Sequence, residues 1–160
     1  MKEELDTYST REKNLWFEYL TDIAVALYYW PNAIRLMLAG DEALRGGAMV
    51  GLITSTVIVA IVVSGALSIF LHAKQKPEPK DERDYIIEAR ASLWSARVLV
   101  AGMLSIMGNI VVQEMIGEQA VGRVLFALSP LLIAHLMLVT LMVASLVGTS
   151  VKLYLYRKGV

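Results

Sequence analysis

Two long stretches without a charged residue constrain this chain more than any other feature. Residues 46–73 and residues 124–151, 28 residues each, contain no Asp, Glu, Lys or Arg. A helix needs about 20 apolar residues to cross the hydrocarbon core of a bilayer. Because an ionised side chain is costly in that core, charge-free stretches of this length are typical of transmembrane helices. We therefore predict spans over residues 48–72 and 124–151.

A third apolar stretch covers residues 93–116, with Arg97 near its start and Glu114 near its end. Charged side chains near the end of a span reach the interface, so this stretch is also predicted to span. A soluble helical bundle is the alternative. It is disfavoured because a soluble helix needs a polar face, and residues 51–71 have only Thr and Ser as polar residues. The composition agrees, since 56% of the chain is hydrophobic.

Residues 15–38 form the fourth candidate span. This stretch contains four residues that are unusual in a span: Glu18, Asp22, Pro31 and Arg35. Two alternatives stay open, a helix that reaches Leu38 with a kink at Pro31, or a helix that surfaces at Pro31 and continues in the outer interface. The predicted fold class is an all-α integral membrane protein, one domain of residues 1–160 with four transmembrane helices.

Basic residues concentrate on one side of this arrangement. The termini and the connection of residues 74–92 carry eleven of them: Lys2, Arg11, Lys13, Lys74, Lys76, Lys80, Arg83, Arg90, Lys152, Arg157 and Lys158. The opposite connections carry only Arg45 and Arg123. The positive-inside rule therefore predicts that both termini are cytoplasmic. With 15 basic and 15 acidic residues in total, no net charge indicates a nucleic-acid partner.

The charges inside the spans predict contacts between helices. Glu18 and Asp22 share a face of the first span, because residues four apart in a helix are neighbours. Arg97 of the third span lies on the same cytoplasmic side, so we expect it to pair with one or both carboxylates. Near the outer surface, Arg35 is expected to pair with Glu114. These pairs would clamp the first helix to the third. The alternatives are a carboxylate that exchanges protons or binds a cation, charged side chains that reach the interface, and partners in other chains.

Polar and small residues predict further contacts. Asn109 of the third span and His135 of the fourth are expected to form a hydrogen bond in the outer half of the bilayer. Thr140, Ala144 and Gly148 recur every four residues along the fourth span. Small residues at this spacing allow close approach of two helices in lipid, so they predict a packing face.

The cytoplasmic connection, residues 74–92, is predicted to contain a helix that starts after Asp81, a favourable N-cap, and continues into the third span. Arg83, Arg90 and Arg97 are spaced by seven along it and define a basic stripe. Its expected partners are the two carboxylates of the first span at one end. At the other end they are anionic lipid, the acidic N-terminal segment or another protein.

The start of this helix resembles a known pattern, carried by Asp81, Glu82, Arg83, Asp84, Ile87, Glu88 and Ala91 just before a span. The pattern is similar to that of an uncharacterised family of small four-span bacterial membrane proteins. The resemblance implies a bacterial-type inner-membrane location and no known enzymatic chemistry.

No catalytic, cofactor or metal constellation can be assembled from these residues, and the chain has no Cys, so an enzyme is not expected. The predicted function is that of a non-catalytic membrane protein acting through helix contacts, as an accessory subunit of a membrane complex or as a self-associating regulator. Its expected partners are the bilayer and other membrane subunits or copies of itself. The alternative is a small oligomeric proton- or cation-coupled transporter or channel that uses Glu18 or Asp22.

Overall fold

The computed structural model describes residues 10–74, 79–116 and 129–158. Within these ranges the chain is helical and contains no strand. The helices are α1 (Thr10–Ala39), α2 (Asp41–Arg45), α3 (Gly47–Lys74), α4 (Glu82–Ile116) and α5 (Pro130–Lys158). The predicted all-α fold class is confirmed.

Among the described residues, three helices are long and apolar enough to cross a membrane. They are the Gly47–Ile69 part of α3, α4 and α5. They match the predicted spans over 48–72, 93–116 and 124–151, except that residues 117–128 lie outside the described ranges. α1 is long enough but is not among the three, because its charged and aromatic residues make it less apolar than the others.

α1 continues as a helix through Pro31 and ends at Ala39. Of the two alternatives for the first span, the structure therefore has the helix that reaches Leu38. A proline inside a helix removes one backbone N–H donor. The side-chain amide of Asn32 donates to the Tyr28 carbonyl at 2.7 Å and so adds a donor within the affected turn. α1 ends before Gly40, whose φ of 99° lies in the left-handed region that favours glycine.

The long helices alternate in direction, and α5 lies at the centre of the packing. α1 packs against α3 and α5, and α4 packs against α5. A core cluster joins α1 to α3 through Tyr29 and Ala33 on one side and Met49 and Leu52 on the other. Within the described ranges, no Cα atom of α1 lies within 8 Å of a Cα atom of α4.

The small-residue face of α5 is where α4 approaches most closely. Gly148 lies against Ser95 of α4, and Ala144 is buried. Thr140 lies so near Gly102 of α4 that a Cβ atom on that glycine would be 2.3 Å from the Thr140 Cγ2 atom. The predicted packing face on the fourth span is therefore confirmed.

Candidate functional site

A cleft of about 710 Å³ lies between all four long helices. Its walls come from the N-terminal parts of α1 and α4 and the C-terminal parts of α3 and α5. The lining is rich in hydroxyl groups and contains three carboxylates and one lysine: Glu18, Thr21, Asp22, Ser64, Leu67, Ser68, Glu88, Ala91, Ser92, Ser95, Ser145, Gly148, Thr149 and Lys152. Since hydroxyls and carboxylates attract water and cations, this cleft is the strongest candidate site in the described part of the chain.

Asp22 is held in the cleft by two hydroxyl groups of α5. The Thr149 hydroxyl donates to the Asp22 carboxylate at 2.7 Å, and the Ser145 hydroxyl lies 3.0 Å from both carboxylate oxygens. Thr149 is buried. Hydrogen bonds to a charged group are stronger than those between neutral groups, so Asp22 fixes α1 against α5.

Glu18 lies one helical turn before Asp22 and lines the same cleft, but its side chain is exposed. It makes no hydrogen bond or ion pair with the described residues. Glu88, on the opposite wall, forms an ion pair with Lys80 at 2.6 Å, with both side chains substantially exposed. An exposed pair of this kind contributes little to stability, so Glu88 remains available to a ligand in the cleft.

The predicted pairing of Arg97 with Glu18 and Asp22 does not occur in the structure. Arg97 is exposed and its guanidinium lies 5.0 Å from the centroid of the Trp94 ring on its own helix. The physical reason is the helix order, because α5 lies between α1 and α4. Asp22 is therefore bonded to hydroxyl groups of α5 and not, as predicted, to Arg97.

The second predicted pair, Arg35 with Glu114, is also not formed. Both side chains are exposed, and neither has an ion-pair partner among the described residues. The cause is the same separation of α1 from α4. The clamp of the first helix to the third is therefore corrected to two separate attachments to α5, one from each helix.

His135 bonds to Tyr29 of α1 rather than to Asn109. The two buried side chains share a hydrogen bond between the Tyr29 hydroxyl and the His135 Nδ1 atom, and their rings stack with centroids 5.6 Å apart. The Oδ1 atom of Asn109 is buried and has no hydrogen-bond partner in the described part of the chain. A buried acceptor without a donor is unfavourable in an apolar environment.

Sequence reasoning missed Tyr29 and Thr149 as polar partners, although a signal was present. Tyr29 follows Asp22 by seven residues, and Thr149 follows His135 by fourteen. Multiples of seven place residues on nearly the same face of a helix. The spacing thus puts two polar groups on one face of α1 and two on one face of α5, the faces that meet.

The predicted helix start in the cytoplasmic connection is confirmed. α4 begins at Glu82, and Asp81 and Asp84 exchange side-chain-to-backbone hydrogen bonds of 2.8 Å in both directions. Asp84 is buried and accepts a hydrogen bond from the Tyr156 hydroxyl at 2.5 Å. This arrangement is a capping box that also ties the start of α4 to the end of α5.

The arginines of the basic stripe have different environments in the structure. Arg83 donates to the Tyr156 carbonyl of α5 at 3.1 Å and lies beside the Tyr156 ring. Arg90 is exposed. Part of the predicted interaction stripe is therefore used within the chain, and Arg90 is the member available to lipid or to another protein.

Comparison with protein-family models, curated proteins and solved structures finds no match to this chain. The resemblance of residues 81–91 to a four-span bacterial family stays a prediction.

Proposed function

We propose that this chain is a four-span integral membrane protein, with both termini in the cytoplasm, that acts through helix contacts with a further chain rather than by catalysis. Its role would be that of an accessory subunit or a self-associating regulator. The single observation that carries this proposal is the incomplete covering of α4. From residue 92 to its end, α4 has one buried residue, Ile106.

Polar groups make the open side of α4 unfavourable in lipid. Arg97 and Glu114 are both exposed there. A charge at the centre of a span costs about 2.5–3.5 kcal/mol on insertion scales, and less near the ends. A second chain packed against α4 would offer partners to these groups, whereas lipid tails offer none.

The inclusion of α1 as a fourth span is supported by its length and its packing. Its 30 residues correspond to about 45 Å of helix, more than the bilayer core requires. The polar groups that lower its apolarity include Asp22 and Tyr29, and both face α5. With four alternating helices, the termini and the connection between α3 and α4 share one side. The basic residues favour the cytoplasm for that side, in a bacterial-type inner membrane.

Cysteine cross-linking in native membranes tests the contact surface. The chain has no Cys, so single cysteines can be placed at Met107 on α4 and, as a matched control, at Ile61 on α3, both exposed. A photoactivatable thiol reagent, which inserts into neighbouring C–H bonds and needs no amine in the hydrocarbon core, should link the α4 position to a further chain much more strongly than the α3 position. Equal yields at both positions, together with a monodisperse monomer in mild detergent, would contradict the proposal.

The second candidate function is transport of a proton or another cation. The cleft favours it, because Glu18 and Glu88 face a polar space of about 710 Å³ that all four long helices line. In reconstituted vesicles, Glu18→Gln should abolish cation-dependent flux while the protein stays folded. If the unchanged protein produces no flux above empty vesicles, this candidate fails and helix contact remains.

A further inference from the structure

α1 and α4 carry opposite charges in a matching order. Glu18 precedes Arg35 by 17 positions on α1, and Arg97 precedes Glu114 by 17 positions on α4. The two helices run in the same direction, since each is antiparallel to α5. In both helices the charges are therefore about 25 Å apart, close to the two limits of the hydrocarbon core.

None of these four charges has an ion-pair partner among the described residues, and all four are exposed. Within the described ranges their own chain does not pair them, and no Cα atoms of α1 and α4 approach within 8 Å. Each helix thus carries charges opposite to those of the other at matching positions, but within one chain the two helices do not pack against each other.

We propose that a second copy of this chain supplies the missing partners, with α1 of each copy alongside α4 of the other. Glu18 then pairs with Arg97, and Arg35 pairs with Glu114. A twofold axis along the membrane normal keeps the two helices parallel and forms each pair twice in the dimer. This inference rests on the proposed function and names the partner chain.

The heights of the charges are compatible with such pairing. Asp22 contacts Thr149, and Ser95 contacts Gly148, so these α1 and α4 positions are nearly level. Arg97 then lies about 9 Å further along than Glu18. Helical side chains point toward the helix N-terminus, which directs the long Arg97 side chain toward Glu18. Because both spacings are 17, the offset is the same at the outer pair, so the long arginine side chain has to span it in both pairs.

Charge reversal tests the pairing between chains. Glu18→Arg alone or Arg97→Glu alone places like charges together twice in a dimer, so self-association in mild detergent should weaken by about tenfold or more. When the two variants are co-expressed with different tags, every Glu18–Arg97 contact between them joins opposite charges. The mixed pair should then associate as tightly as the unchanged chain. Lys158→Glu, a charge reversal at an exposed residue of α5 outside both proposed contacts, is the control and should have no effect.

The mixed pair separates this inference from pairing within one chain. Within each single-variant chain the two positions carry like charges, so restored association can only come from contacts between chains. A mixed pair that associates no better than the single variants, or single variants that associate as tightly as the unchanged chain, overturns the inference.

Cross-linking provides a second measurement if a reversal variant fails to fold. A chain with Glu18→Cys and a differently tagged chain with Arg97→Cys should be joined into a dimer by a short thiol-to-thiol cross-linker. Met107→Cys, about 15 Å further along α4, should not react with Glu18→Cys. If the α4 cysteine links only to a chain of different mass, the second-copy inference fails and the proposed function stands. If it links to no chain, the second-copy inference fails, and the cross-linking from Met107 described above decides on the proposed function.

Discussion

The junction of α1 with α5 and the open side of α4 contain similar polar residues in opposite situations. In the junction, Asp22 bonds to hydroxyl groups of α5, and Tyr29 bonds to His135. On α4, Arg97 and Glu114 are exposed without an ion-pair partner among the described residues. The polar groups of the junction are thus hydrogen-bonded within one chain, whereas the charged groups of α4 have no ion-pair partner in the described part of the chain. Substitutions on the two sides should therefore change different quantities, monomer stability in one case and association in the other.

The largest expected effect on stability is at the contact between α4 and α5. Gly102→Ala would place a methyl group within 2.3 Å of the Thr140 Cγ2 atom, so the helices must separate, at a cost of about 1–3 kcal/mol. Gly108→Ala, where a Cβ atom meets nothing within 4 Å, should instead be neutral or stabilising. Thermal unfolding in detergent, followed by circular dichroism, measures both. Equal effects at the two glycines would contradict the close approach.

A second test compares the two carboxylates of α1. Asp22→Ala removes the charged acceptor of two hydroxyl groups and should lower the free energy of unfolding of the monomer by about 1.5 kcal/mol. Glu18→Gln should leave monomer stability unchanged and weaken self-association instead. Unfolding and association measured on the same samples separate the two. A reversed order would mean that Glu18, and not Asp22, fixes α1.

Tyr29→Phe removes the hydrogen bond to His135 and keeps the stacked rings. Hydrogen bonds between transmembrane helices contribute about 0.6 kcal/mol on average and reach about 1.7. We expect a loss within that range in the unfolding free energy. Tyr28→Phe is the matched control, because the Tyr28 hydroxyl bonds to Ser55 of α3 at a partly exposed site and should contribute less. A larger loss of unfolding free energy for Tyr28→Phe would mean that the hydrogen bond between α1 and α3 stabilises the chain more than the one between α1 and α5.

The smallest expected effect on stability concerns two arginines of the basic stripe, Arg83 and Arg90. Arg83→Gln removes a hydrogen bond to the Tyr156 carbonyl and should lower stability by about 0.5 kcal/mol, because the contact is exposed. Arg90→Gln should not change stability. If instead Arg90→Gln releases a protein that co-purifies with the unchanged chain, Arg90 is the contact with an accessory partner.

Much of the fold could be predicted from the chain. The charge-free stretches predicted α3 and α5, and Asp81 predicted the start of α4, because the cost of a charge in lipid and the capping of free N–H groups are local effects. The face formed by Thr140, Ala144 and Gly148 was predicted correctly as well. Helix continuation through Pro31 was left open, since a proline near midspan is compatible with a break or with a continuous helix.

The candidate site was predicted only in part. The sequence identified Glu18, Asp22 and His135 as interior polar groups but assigned wrong partners to Asp22 and His135. The depth of a residue along its helix can be counted from the sequence, whereas the sequence does not say which other helix packs beside it. Groups on α1 and α4 at similar depths were therefore paired, although the two helices do not meet.

By itself, the amino-acid sequence determined where apolar helices begin and end and which polar residues fall inside them, because the transfer of each residue from water to lipid depends on the residue and its immediate neighbours. Only the tertiary structure decided that α5 stands between α1 and α4. That order depends on which helix faces fit closely, as Gly102 fits Thr140, and such a fit exists only when both surfaces are in place.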